Sequence, residues 1–202
     1  ALQKTYGRDD VKAYGPIYKS HEVKGSTVTV KFSHADGRRG VRFFLIDHTG
    51  ASHPAVIGEE RDVRAQGATI VFTYIGINDV WHWNRNKGTK KDVFEAGLRD
   101  IISKIEAKGA RVILCTPTVI GEKTDGSNKF DSMLEEYSSI SRGVAKATGS
   151  QLLDLRKSFM EHLRKSNTEN NDRGLLTRDT VHMNAEGNKF LARLFLGAVG
   201  IK

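Results

Sequence analysis

Residues 69–83 read TIVFTYIGINDVWHW. The run Thr69–Ile75 is dominated by apolar and β-branched residues, the pattern of a strand buried on both faces. Gly76, Asn78 and Asp79 then punctuate it. A strand buried on both faces needs helices above and below. If the reading is right, the chain beyond it should alternate helix and strand.

It does. Thr89–Lys108 places Val93, Phe94, Leu98, Ile101, Ile102 and Ile105 at helical spacing, and Gly109 follows as a C-terminal glycine. Arg111–Cys115 is the next strand, Phe130–Thr148 the next amphipathic helix, closed by Gly149. Gln151–Leu155 is a third strand and Ser158–Lys165 a helix. Residues 166–178 are polar and irregular. Ala185–Ala198 is a closing helix, with Asn184 placed to cap it. A βαβαβα order implies a parallel sheet with helices packed on it.

Upstream, the pattern changes near Glu59–Gln66. Val23–Phe32 alternates with period two, Val28, Val30 and Phe32 on one side, Thr27, Thr29 and Lys31 on the other. VRFFLI is another strand, and Ala55–Ile57 begins a third. Two parts are therefore predicted: a β-rich segment over residues 1–60 and an α/β domain over residues 61–202.

The bulk numbers bound the function. The 202 residues carry a formal net charge of +8, but the charges are interspersed, and no aromatic-basic repeat of a nucleic-acid reader is present. A nucleic-acid partner is not expected. One cysteine, Cys115, cannot form an intrachain disulfide or a cysteine-based zinc site. Cys115 reads as a small buried hydrophobe. No histidine pair has metalloprotease spacing, so neither metal nor cofactor is expected. No run of 18 apolar residues suggests a membrane span. The chain starts at ALQKTYG without an initiator methionine, which leaves export open.

In parallel sheets ligands sit beyond the carboxyl ends of the strands. Here those ends read GINDVWHW, TPTVIGEK and DLRKSF, and the loop RDTVHMN reaches the same edge. Asp179 and His182 are three apart, so the carboxylate can accept from imidazole Nδ1 and leave Nε2 as a base. A surface ion pair is the competing reading. Asn78 can donate to a developing oxyanion, with Gly76 allowing close approach; an Asx turn competes. Trp81 and Trp83 line a pocket or anchor the loop. His82 reads as a surface residue. GEKTDGSNKFD reads as a solvated loop rimming the site.

Together, Gly76-Ile77-Asn78-Asp79 resembles the G-x-N-D block of the SGNH (GDSL-type) hydrolases, and Asp179-x-x-His182 resembles their D-x-x-H block. The resemblance covers about residues 69–201. It implies a flavodoxin-like three-layer α/β/α fold and ester hydrolysis, with Asp179 orienting His182 as base and Asn78 and Gly76 at the oxyanion. It implies a small-molecule ester or acetylated carbohydrate as substrate. The family's G-D-S nucleophile motif is absent; in VRFFLIDHTG the matching position would be His48. The glycine donor block is absent too. Ser52, Ser33, Ser26 and Ser20 are candidate nucleophiles, Ser52 foremost. A water activated by the Asp–His pair is a second route, and a serine from a second copy of the chain a third, since an incomplete sheet leaves edges open to pairing. Residues 1–60 are similar to a β-rich segment of bacterial sialate O-acetylesterase-like proteins. The expected function is a carboxylic-ester hydrolase acting on an acetylated carbohydrate, of bacterial origin. The alternative is a non-catalytic carbohydrate-binding or interaction module that kept the frame without a nucleophile.

Overall fold

The computed structural model describes residues 70–85 and 88–200, and the backbone of three strands upstream of them. Those strands are β1 (Tyr18–Lys24), β2 (Thr27–Phe32) and β3 (Arg42–Ile46), an antiparallel sheet in the order β1-β2-β3. The alternating run 23–32 thus divides between two strands. Val23 pairs with Val28 and Lys24 with Thr27, on either side of the Gly-Ser dipeptide at 25–26. Residues 55–57, expected to start a strand, lie outside the described residues.

The second sheet is parallel, in the order β4 (Ile70–Tyr74), β5 (Arg111–Cys115), β6 (Gln151–Leu153). Ile70 pairs with Arg111 and Tyr74 with Cys115; Ile113 pairs with Gln151 and Cys115 with Leu153. The helices are α1 (Ile77–Trp81), α2 (Lys91–Glu106), α3 (Asp131–Thr148), α4 (Leu155–Ser166) and α5 (Ala185–Ala198).

Two apolar clusters define three layers. Val71, Val112 and Leu114 pack with Phe94, Leu98, Ile102 and Ile105 of α2 and Leu134, Tyr137 and Val144 of α3. Cys115 packs with Leu155, Phe159 and Leu163 of α4 and Leu191 and Phe195 of α5; Phe72, Tyr74 and Leu153 join this second cluster. Successive side chains of β4 therefore feed opposite clusters, as the pleat requires. Helices α2 and α3 cover one face, α4 and α5 the other. This is the three-layer α/β/α arrangement read from the sequence.

Two element ends differ from the sequence reading. Strand β6 stops at Leu153, and α4 begins at Leu155, three residues earlier than expected. Asp154 is the cause. Its carboxylate caps α4 by accepting from Lys157 N (3.1 Å), and also accepts from Thr116 Oγ1 (3.2 Å) and from Arg142 Nε (2.7 Å). A side chain committed to a helix cap cannot extend a strand. The stretch after Gly76, read as a loop, is the short helix α1, followed by a 3-10 turn over Trp83–Arg85.

Other ends agree. Gly149, at φ 74°, closes α3, and the Asn184 side chain caps α5 by accepting from Gly187 N (2.9 Å). Cys115 is 1% exposed, and burial pushes its thiol well above the ordinary range, so it is an inert part of the core. Among the described residues, no helix is long and apolar enough to cross a membrane.

Candidate active site

The site assembles at the carboxyl ends of β4 and β5. Strand β4 delivers the chain to Gly76, whose φ of 112° lies in the region that favours glycine. A Cβ there would stand 3.2 Å from Phe94 and 3.3 Å from Pro117, so the turn is also tight. Helix α1 follows at once. Val80 is fully buried in the α2–α3 cluster, and Ile75, Ile77 and Trp81 pack against it. Asn78 is held half-buried on this one-and-a-half-turn helix, beside the glycine.

The second part is a hairpin-like turn. Thr177 and Met183 form an isolated antiparallel bridge, and Arg178 N donates to His182 O (2.9 Å). Within that turn, Asp179 Oδ2 lies 2.8 Å from His182 Nδ1. Asp179 Oδ1 accepts from the backbone N–H of His182 (2.8 Å) and of Val181 (3.2 Å). The carboxylate thus fixes both the backbone and the ring. Its bond to Nδ1 selects the tautomer with the Nε2 lone pair free. Burial pushes the Asp179 carboxyl up, but the backbone and imidazole hydrogen bonds of His182 and the N–H of Val181 outweigh it and hold it below the usual carboxylate value. Both side chains remain accessible, 46% exposed for Asp179 and 45% for His182. Arg178 Nε stands 3.6 Å from the same Oδ2.

The two parts meet. Val181 is buried in the same cluster as Val80, and the Trp81 ring lies 5.6 Å from that of His182 at an interplanar angle of 85°. Edge-on aromatic contact of this kind restrains ring orientation. Trp81 also stacks on His82 at 4.9 Å, which leaves His82 half-buried rather than on the open surface. Trp83 is 38% exposed.

So Gly76, Asn78, Trp81, Asp179 and His182 share one edge of the sheet, as the sequence reading required. Ser52, Ser26 and Ser33 lie outside the described residues, and only the backbone of Ser20, in β1, falls within them. Only part of the run GEKTDGSNKFD is the solvated loop expected of it: Asp125, Gly126, Ser127 and Lys129 are exposed. Gly121 and Glu122 are buried, Glu122 completely, and its carboxylate accepts hydrogen bonds from the segment that leads into Asp179. Periodicity carries no trace of such a residue. The one local signal is that Glu122 follows the run VILCTPTVIG over residues 112–121, which holds no charged residue. Thr180, at φ 78°, carries no such signal; it is a non-glycine in the left-handed region, set between Asp179 and His182. Among the described residues no group of three or more His, Cys, Asp or Glu side chains is placed to hold a metal ion.

A parallel sheet with an Asp–His pair and a G-x-N-D turn at one edge defines a hydrolase fold of the SGNH class. The chain belongs to the GDSL-like lipase/acylhydrolase family, whose model matches residues 23–190. It is 30% identical over 149 residues to an acetylxylan esterase of Geobacillus stearothermophilus, a match over 71% of this chain and 64% of that protein. The chain therefore spans less than two thirds of that relative. Among solved structures it resembles the acetyl xylan esterase AlAXEase, with 43% identity and a TM-score of 0.68 over 69% of this chain and 71% of the other. It also resembles Axe2, the acetylxylan esterase of Geobacillus stearothermophilus, with 28% identity and a TM-score of 0.60 over 71% and 64%.

Proposed function

We propose that this protein is a carboxylic-ester hydrolase that removes acetyl groups from a carbohydrate. The observation that carries the reading is the Asp179–His182 pair, joined at 2.8 Å and accessible, with Trp81 against the imidazole. Two relatives described as acetylxylan esterases support the substrate class. Structures of Axe2 described as catalytic mutants carry alanine for a serine, an aspartate and a histidine, the last two at positions 191 and 194 of that protein. That spacing is the spacing of Asp179 and His182.

In this mechanism His182 Nε2 takes the proton of a hydroxyl nucleophile as it attacks the acetyl carbonyl. Asp179 stabilises the imidazolium that forms. The Asn78 amide and the Gly76 backbone N–H donate to the oxyanion. The imidazolium then returns its proton to the departing sugar oxygen, and water completes the turnover by the same path. Trp81 and Trp83 offer apolar walls to a sugar ring. The nucleophile is not assigned: Ser52, Ser33, Ser26 and Ser20 are the candidates within the chain, and a water activated by the pair, or a serine from a second copy, serves in the two variant routes.

The missing G-D-S tripeptide favours one second reading, a carbohydrate-binding module without catalysis. A fluorophosphonate probe separates the two. One labelled serine, mapped by mass spectrometry and lost in His182→Ala, is the expected result. Neither labelling nor hydrolysis of p-nitrophenyl acetate would leave the binding module. Hydrolysis without labelling would select activated water.

A further inference from the structure

Glu122 is fully buried, yet it is a carboxylate and lies outside the Asp–His pair. A buried charge must be met by partners of good geometry or it destabilises the fold. Here three consecutive backbone N–H groups converge on it. Leu175 N donates to Oε2 (2.8 Å), Leu176 N to Oε1 (2.8 Å), and Thr177 N to Oε1. The Thr177 hydroxyl adds a fourth bond to Oε1 (2.7 Å). Successive N–H groups aimed at one anion form a nest that fixes the local backbone.

The main chain around Glu122 grips the same region. Glu122 N donates to Asp172 O (2.9 Å), Asn167 Nδ2 donates to Glu122 O (2.8 Å), and Gly121 N donates to Thr180 O (2.8 Å). Thr177 is the residue whose bridge to Met183 opens the functional turn, and Thr180 sits at its tip in a left-handed conformation. Residues 121 and 122 therefore hold the turn at its base and its tip. Helix α5 closes against it from the other end: a Cβ at Gly187 would come within 2.0 Å of Leu176 O.

We propose that Glu122 is a positioning residue for the Asp179–His182 pair, setting where the imidazole stands by anchoring Leu175–Thr177. The inference rests on the reading of that pair as the catalytic acid–base. A base displaced by about 1 Å loses on the order of 100-fold in rate, so an anchor that never touches substrate still governs turnover. Apolar packing alone cannot replace it, because an apolar side chain at 122 would orphan three N–H groups, those of Leu176 and Thr177 on buried residues.

The test is Glu122→Gln, which keeps the shape but turns one acceptor into a donor facing an N–H. On p-nitrophenyl acetate kcat should fall by about 10- to 100-fold, with KM unchanged. The downfield proton resonance of the His182 Nδ1–H bond, assigned by its loss in His182→Ala, should shift or broaden while the far-ultraviolet spectrum stays as in the parent. Unchanged kcat together with an unchanged imidazole signal would overturn the proposal. If Glu122→Gln fails to fold, Thr177→Val removes one of the four bonds and should give a smaller change in the same two readouts; no change in either would equally overturn it. If the parent chain proves inactive, the ester reading fails, and the imidazole signal alone decides the anchor.

Discussion

Helix α2, with 16 residues, and the irregular stretch 167–184 are of similar length, and different forces hold them. In α2, Phe94, Leu98, Ile101, Ile102 and Ile105 are buried against the sheet, and the polar face carries i,i+4 pairs such as Glu95–Arg99 at 2.7 Å. The exposed pair contributes little, so apolar burial dominates. In 167–184 the described apolar anchors are few: Leu176 and Val181 are buried. The rest is hydrogen bonding: Asn167 to Glu122 O and Asn171 O, Asn170 Oδ1 to Thr124 N, Glu122 to Leu175–Thr177, and Asp179 to His182. Apolar burial is non-directional and tolerates small shifts. Hydrogen bonds are directional, so they fix a backbone that no repeating pattern fixes. The stretch that carries Asp179 and His182, the proposed acid–base pair, is the one built from directional contacts.

Substitutions in each region should separate these roles. The largest effect is expected from His182→Ala, which should lower kcat/KM by about a millionfold while the unfolding midpoint stays put, because the ring is 45% exposed. A matching loss of stability would show that the turn is structural. Leu98→Ala should do the reverse. Leu98 is fully buried in the α2 face, and its truncation should cost about 2–5 kcal/mol in denaturant unfolding.

Asp154 belongs to both kinds of order, since it caps α4 and binds Arg142. Burial pushes its carboxyl up, but the Arg142 hydrogen bond, the Lys157 N–H and the Arg142 charge outweigh that and hold it below the usual value. A depressed carboxylate contributes stability above its unfolded pKa, near 3.9, and loses it as pH falls through the folded value. Asp154→Asn should therefore lower the unfolding midpoint at pH 7 and flatten its fall below about pH 4. An unchanged acid limb would exclude Asp154 as a source of acid sensitivity. The smallest effect is expected at Thr73, 5% exposed, whose hydroxyl has no hydrogen-bond partner among the described residues. Thr73→Val should raise stability by about 1 kcal/mol; destabilisation would reveal a partner for the hydroxyl.

The same division explains what the sequence disclosed. Strands β4 and β5 and helices α2, α3 and α5 were legible because period-two and period-3.6 patterns are local records of which face is buried. Asp179 and His182 were legible because their bond spans three residues. Glu122 was not, because its partners lie 53 to 55 residues away and its own neighbours in sequence look like a polar loop. The early end of β6 was hidden for a related reason. Asp154 reads as one polar residue after a short apolar run, and the Arg142 and Thr116 contacts that commit it to the cap come from other elements.

The reach of the Glu122 contact also orders events in time. Asp154 meets Arg142 across 12 residues, whereas Glu122 meets Thr177 across 55. Closing the longer loop costs about 1 kcal/mol more chain entropy, and it is closed by polar contacts that gain nothing until aligned. The sheet with α2 and α3 can therefore form first, and the turn carrying Asp179 and His182 docks last. By the same reasoning it is the first to let go. Native-state hydrogen exchange should find the amides of Thr177 and His182 opening at lower free energy than that of Leu98, and equal protection would refute this order. A protein of this build can lose the geometry of the Asp179–His182 turn to mild heat while its frame is still folded.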